Sequence, residues 1–178
     1  MNDITLWLIL SDLRGAGNVG AILRTADAVG VARVYACGYT PYPRLPDDSR
    51  PPHVISSNAR AIAKTALGAE ISVPVLHSPD TESALFEAKR NGFTIMVLEQ
   101  AETSLNLFDY IPKFSKSKTR HGGLALVVGN EVDGVSPDLQ AQASQILEIP
   151  MLGSKESLNV TSATAVALYH LRTTPLAG

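Results

Sequence analysis

One feature limits the possible folds of this chain more than any other: short apolar runs of strand length alternate with segments whose apolar residues fall at helical spacing. Ile4 to Leu10 is the first run. Asn18 then stands where a helix cap would, ahead of the stripe Val19, Ile22, Leu23, Ala26 and Val29, which ends at Gly30. Arg33 to Gly38 reads as the next strand. Pro41, Pro43, Pro46, Pro51 and Pro52 break up the stretch that follows and predict a surface loop. Ser56 to Leu67 is helical in composition, and Ile71 to Leu76 is a short strand that Pro74 confines to an edge or a strand end. Ser83 to Arg90 predicts a helix, Phe93 to Leu98 and Leu124 to Val128 buried strands, Gln145 to Ile149 a last strand, and Thr161 to Leu171 a last helix. The alternation is that of an α/β protein with a mainly parallel sheet. Ligands of such sheets bind beyond the C-terminal ends of strands, here the segments after Leu10, Leu98, Val128 and Ile149.

With 178 residues, 45% apolar and 18% charged, the chain is expected to form a single domain over residues 1–178 with one core. Its one cysteine, Cys37, lies in an apolar run and is expected to be a buried, inert thiol. A lone cysteine offers no disulfide framework and no CxxC ligand pair, so no metal site and a reducing cytoplasmic location are expected. Ile4 to Leu10 lacks the flanks of a signal peptide, and no stretch approaches the ~20 apolar residues that cross a bilayer. A formal charge of −2 argues against a general nucleic-acid coat protein while leaving room for an RNA enzyme with one local basic surface.

Gly15-Ala-Gly-Asn-Val-Gly20 matches GxGxxG after a strand. A dinucleotide site also needs an acidic residue near the end of the second strand, and that strand ends in Cys37 and Gly38. Tight packing of a helix accounts for these glycines equally well. Within the same helix Arg24 points away from the apolar stripe, as a solvated arginine would. Two further segments carry chemistry. Leu124 to Gly134 sets the carboxylate of Glu131 just beyond an apolar strand, with Gly129 permitting close backbone approach. Ile149 to Val160 runs from a strand end through a polar turn into a helix of small residues, and Ser157 and Asn159 bracket Leu158 with polar groups that need partners if buried.

Taken together and in this order, Asn18-Val-Gly-Ala-Ile-Leu-Arg24, Leu126-Val-Val-Gly-Asn-Glu131 and Ile149 to Val160 resemble the SpoU/TrmH family of SPOUT RNA 2'-O-ribose methyltransferases. Lys64 to Glu70 also looks like this family. The resemblance implies a SPOUT-type α/β knot, with a mainly parallel sheet and a C-terminal deep trefoil knot, in a homodimer. It implies S-adenosyl-L-methionine as cofactor, held mainly by backbone groups at Leu98, Gly129, Ile149 and Leu158, with Met151 nearby. It places Arg24 at the reacting ribose, with Asn18, Glu131, Ser157 and Asn159 arranging it and the RNA backbone. A ribose hydroxyl is a poor nucleophile until its proton is accepted, so the site must supply a proton route and in-line alignment.

RNA, either tRNA or rRNA, is the implied partner, and neither DNA nor a membrane is. Larger relatives carry an added RNA-binding domain, so substrate recognition is expected to fall to the catalytic domain and its dimer partner. Lys113 to His121 gathers positive charge without an acid, and its Lys116, Lys118 and Arg120 are candidate RNA contacts. Arg14, before the first motif, is another. Arg44 and Arg50 in the proline loop are weaker candidates, because Asp47 and Asp48 offset them. A base-modifying RNA methyltransferase and a non-catalytic RNA-binding dimer are the competing expectations. The small size resembles that of wobble-position tRNA enzymes, an analogy that does not separate tRNA from rRNA.

Overall fold

The structure is a computed structural model and describes residues 4–112 and 122–175. Its strands are β1 (Thr5–Ser11), β2 (Arg33–Cys37), β3 (Val75–Ser78), β4 (Phe93–Leu98), β5 (Leu105–Asn106), β6 (Gly123–Val128) and β7 (Gln145–Glu148). They form one sheet in the order β3-β2-β1-β6-β4-β7-β5, with every pairing parallel. The helices are α1 (Ala16–Val29), α2 (Pro52–Ala66), α3 (Ala69–Ser72), α4 (Thr81–Arg90), α5 (Pro137–Gln140) and α6 (Val160–Thr173). A sheet of parallel strands needs cover on both faces, which is why its central strands are apolar throughout.

Residue alternation along β1 sorts the core into two layers. Leu6, Leu8 and Leu10 face a layer closed by α1, α2, α3 and α6 through Ile22, Leu23, Ile62, Ala69 and Leu168. Trp7 and Ile9 face the other layer, closed by α4 through Ala84, Leu85 and Ala88. Trp7 stacks on Phe93 there at 4.0 Å between ring centroids. Cys37 is fully buried, and burial pushes its thiol up to about 12, so it is protonated at neutral pH. Among the described residues no helix is long and apolar enough to cross a membrane.

The strand order carries the topological peculiarity. After β4 the chain makes β5 at the sheet edge, returns to the centre as β6, and then inserts β7 between β4 and β5. The last helix, α6, packs back on α1. Arg172 of α6 fastens this return, donating hydrogen bonds to the carbonyls of Ile4, Val29 and Gly30. Insertion of the last strand behind an earlier connection is what a threaded C-terminal segment requires, against the usual preference for unthreaded chains.

Three sequence expectations need correction. Asn18 does not cap α1: the helix starts at Ala16, Gly15 is the capping residue, and Asn18 lies in the first turn with its side chain directed elsewhere. The segment Ile71 to Leu76 is not one strand. Ala69–Ser72 forms the short helix α3, and β3 begins only after Pro74, whose carbonyl accepts from the Val34 amide. Proline has no N–H to extend the ladder upstream, and β3 lies at the sheet edge as such a strand should. Helix α2 starts four residues earlier than the composition suggests, because Pro52 is tolerated in a first turn where no N–H is needed.

Candidate active site

Register places the strand ends in one row. Leu10 and Leu98 both pair with Val128, and Leu98 pairs with Leu147, so β1, β6, β4 and β7 finish side by side. Beyond that row lies a cavity of about 430 Å³. Its walls come from the end of β4 (Leu98, Glu99, Gln100), the loop after β6 (Gly129 to Val132 and Gly134), the end of β7 (Glu148, Ile149, Met151) and the entry to α6 (Ser157 to Val160, Ala163). All five residues expected around a cofactor, Leu98, Gly129, Ile149, Met151 and Leu158, therefore line one cavity, together with Glu131, Ser157 and Asn159. Arg14, Asn18 and Arg24 do not line it. Lys116, Lys118 and Arg120 lie outside the described residues.

The shape of the β6 loop depends on glycine. A Cβ on Gly129 would lie 2.1 Å from the carbonyl carbon of Gly134, so the two backbones touch and open the wall of the cavity. Asn130 holds the intervening turn, its side-chain carbonyl accepting from the Val132 and Asp133 amides at 2.8 Å each. That turn presents Glu131 to the first motif. Its carboxylate accepts from Asn18 Nδ2 at 2.7 Å and from the Arg14 amide at 3.3 Å. Partial burial pushes the Glu131 carboxyl upward, but the Asn18 side chain and the backbone amides of Glu131, Arg14 and Gly15 outweigh it and hold it below its ordinary value.

Asn18 in turn accepts from Thr161 Oγ1 at 3.3 Å, and the Thr161 amide is capped by Asn159 Oδ1 at 2.8 Å. Asn159 is the true side-chain cap of α6. The three motifs, far apart in sequence, thus meet in one hydrogen-bonded chain running Glu131, Asn18, Thr161, Asn159. Ser157 sits at the cavity wall beside Leu158, which is 42% exposed and so available to a ligand's apolar surface.

Sequence reasoning missed three polar residues of the cavity. Glu99 accepts from the Val135 amide and from the Gln100 amide, both at 2.9 Å, which latches the β6 loop to the end of β4. Gln100 donates to the Glu156 carbonyl at 2.9 Å and so ties β4 to the turn before α6. Glu148 accepts from the Ser104 hydroxyl at 2.6 Å. The signal that could have found Glu99 and Gln100 was positional: they directly follow an apolar strand, where α/β sheets bind ligands.

Arg24 is exposed on α1 and has no hydrogen bond or ion pair among the described residues. Arg14 makes an exposed ion pair with Asp133 at 3.6 Å, beside the Glu131 network. Arg50 of the proline loop is committed internally: it donates to Asp48, to the Tyr42 carbonyl and to the Pro43 carbonyl, and its guanidinium lies 3.4 Å from the centre of the Tyr42 ring. The Arg50 guanidinium holds the Asp48 carboxyl well below the usual carboxylate range. That role is structural, and it leaves Arg44 as the exposed arginine of the loop.

Residues 5–169 match the SpoU rRNA Methylase family. The 23S rRNA (guanosine-2'-O-)-methyltransferase RlmB of Pasteurella multocida is 33% identical over 167 residues, covering 93% of this chain and 59% of that protein. The A. aeolicus TrmH/SpoU tRNA modifying enzyme superposes with a TM-score of 0.73 at 26% identity, over 96% of this chain and 75% of that one. An AdoMet-bound rRNA methyltransferase from Sinorhizobium meliloti gives a TM-score of 0.73 at 24% identity, over 94% of this chain and 56% of that one, a likeness of fold. The chain spans little more than half the length of the curated relatives it matches.

Proposed function

The chain belongs to the SpoU rRNA methylase family, and on that premise we propose that it transfers a methyl group from S-adenosyl-L-methionine to a ribose 2'-hydroxyl of tRNA or rRNA, acting as a homodimer. The observation that carries the proposal is the convergence of the three motifs: the five expected cofactor residues line one cavity, and Glu131, Asn18 and Asn159 are linked at its mouth. The named activities of the relatives, on 23S rRNA and on tRNA, support RNA as the substrate class.

The cavity suits this cofactor by its chemistry. Glu99, Glu131 and Glu148 give it an anionic lining, matched to a ligand with a cationic sulfur and an ammonium group. Leu98, Ile149, Met151 and Leu158 offer apolar surface for a base, and the strand ends offer backbone groups. When bound, the cofactor supplies a methyl group on a positively charged sulfur. The protein's part is to orient and to manage one proton. Glu131, with its proton affinity lowered, is a poor base and a good anchor: it fixes the Asn18 amide at the edge where the nucleotide must enter. Asn159 caps α6 at the cavity wall, next to Ser157 and Leu158. Arg24 lies outside the cavity of the single chain, six residues beyond Asn18 on α1, so the RNA and the second copy of the dimer complete the reacting centre around it. An arginine is ordinarily protonated, so at that position the guanidinium grips a neighbouring phosphate and aligns the ribose, and the hydroxyl's proton passes to solvent as the methyl group is transferred.

Incubation of the protein with isotopically labelled S-adenosyl-L-methionine and separate tRNA and rRNA fractions, followed by nucleoside mass spectrometry, tests the proposal. A labelled 2'-O-methyl nucleoside is expected. Label on a base would replace it with a base-modifying activity, and cofactor binding without label in either fraction would leave a binding protein. Arg24→Ala is expected to slow single-turnover transfer by about 10²-fold or more at saturating RNA; an unchanged rate would remove Arg24 from the chemistry.

A further inference from the structure

Helix α2 differs from α1 and α4 in its charge. Its sequence, PHVISSNARAIAKTA, contains no acidic residue, whereas α1 carries Asp27 and α4 carries Glu82 and Glu87. Its two permanent cations, Arg60 and Lys64, are both exposed, and neither has a hydrogen bond or ion pair among the described residues. They lie four apart, with the exposed Ser57 one turn before Arg60 and the exposed His53 another turn back, so all four share one outward stripe of the helix. The inner side is accounted for by Ile55, Ile62 and Ala66, which are buried. In α6 the matching absence of acids has a different explanation, because Arg172 is spent on three carbonyls. Lys64 gains from the carbonyl end of α2, but Arg60 sits too far inside the helix to do so.

The position of this stripe bears on the reaction. Helix α2 lies on the same side of the sheet as α1, and the two touch backbone to backbone: a Cβ on Gly20 would stand 2.3 Å from the Ile62 carbonyl oxygen, and Thr65 Oγ1 donates to the Gly17 carbonyl at 2.9 Å. Arg24 lies one turn beyond Gly20 on α1. The cations of α2 are therefore held by a rigid crossing next to the helix that carries the first motif. A rigid row of unpaired cations, in a chain whose net charge is −2, fits a polyanion approaching that face.

We propose that the outer face of α2, through Arg60 and Lys64 with Ser57 and His53 beside them, grips backbone phosphates of the substrate RNA flanking the nucleotide presented to α1. The proposal rests on the RNA methyltransferase function above and assigns a binding surface within it. These contacts fix the position of the strand and carry no sequence preference.

The experiment is filter binding of the whole protein to unfractionated tRNA and to rRNA across a salt series, with methyl transfer measured on the same RNA. Arg60→Glu with Lys64→Glu is expected to weaken binding by roughly tenfold or more and to flatten the salt dependence by about one phosphate contact per residue. Affinity for S-adenosyl-L-methionine should stay at the wild-type value, and the melting temperature should fall by no more than a few degrees, because Lys64→Glu sets a negative charge at the carbonyl end of α2. Lys89→Glu with Arg90→Glu on α4, beyond the opposite face of the sheet, makes the same change of net charge and should leave RNA binding nearly unaltered. Wild-type affinity and salt slope in the α2 pair would overturn the surface, as would an equal loss in the α4 pair. Wild-type protein that binds no RNA would overturn both proposals. Wild-type binding that depends on α2 but transfers no methyl group would sink the enzymatic function alone and leave the surface standing.

Discussion

Asn18 and Glu131 stand 113 residues apart in the chain and 2.7 Å apart in space, the amide nitrogen of one donating to the carboxylate of the other. That bond joins the helix of the first motif to the loop of the second. It also lowers the Glu131 carboxyl, which gives it a signature in pH. A carboxyl held below its unfolded value contributes stability that is fully present above the ordinary glutamate range, near pH 4.3, and is lost as pH falls through the lowered value. Removing Asn18 takes away part of that contribution. The difference in melting temperature between wild type and Asn18→Ala should therefore be constant from neutral pH to about pH 5 and shrink toward pH 3. A difference that grows on acidification would contradict the assigned direction.

Gly129→Ala should damage the cavity more than the fold. The added methyl meets the backbone of Gly134 and Val135, which cannot swing aside as a side chain could. A destabilisation of about 1–3 kcal/mol is expected from such overpacking. Displacement of the loop by even a fraction of an ångström should weaken cofactor binding by roughly tenfold or more, read by calorimetry.

Glu99→Gln tests the latch between β4 and the β6 loop. The carboxylate accepts from two backbone amides through its two oxygens, and an amide side chain can accept through only one. One N–H is then left facing an NH₂ group, at a cost of about 1 kcal/mol, since neither hydrogen bond is fully buried. Because Glu99 also lines the cavity, cofactor affinity should fall with stability, and thermal melts with and without S-adenosyl-L-methionine should show a smaller ligand-induced shift than in wild type.

Arg172→Met should destabilise the protein without touching the cavity. Three carbonyls lose a charged donor, and a loss of about 2–3 kcal/mol in urea denaturation is expected. Cofactor affinity of the folded fraction should be unchanged, which separates this variant from those at Gly129 and Glu99.

The sequence made the layered α/β plan legible because each strand and helix carried its own period. The place of the cavity was legible from the strand ends, while the residues expected around a cofactor there came from the family resemblance and line that one cavity. Failures arose where a local rule met a tertiary partner. Asn18 has the chemistry of a cap, yet its amide is taken by Glu131 and Thr161, and Gly15 caps by default. Ala69–Ser72 is a helix too short to show a period, and β5 has two residues. Glu99 and Gln100 belong to no motif, and their roles emerge only when the β6 loop and the α6 turn fold against them.

The insertion of β7 between β4 and β5 also sets an order in time. The walls of the cavity include Glu148, Ile149 and Met151 at the end of β7 and Ser157 to Val160 at the entry to α6. During synthesis the earlier strands can be complete while that side of the cavity does not yet exist. A nascent chain stopped after Val128 should have no affinity for the cofactor, and the capacity to bind it appears only once the last quarter of the polypeptide has been made and drawn into place.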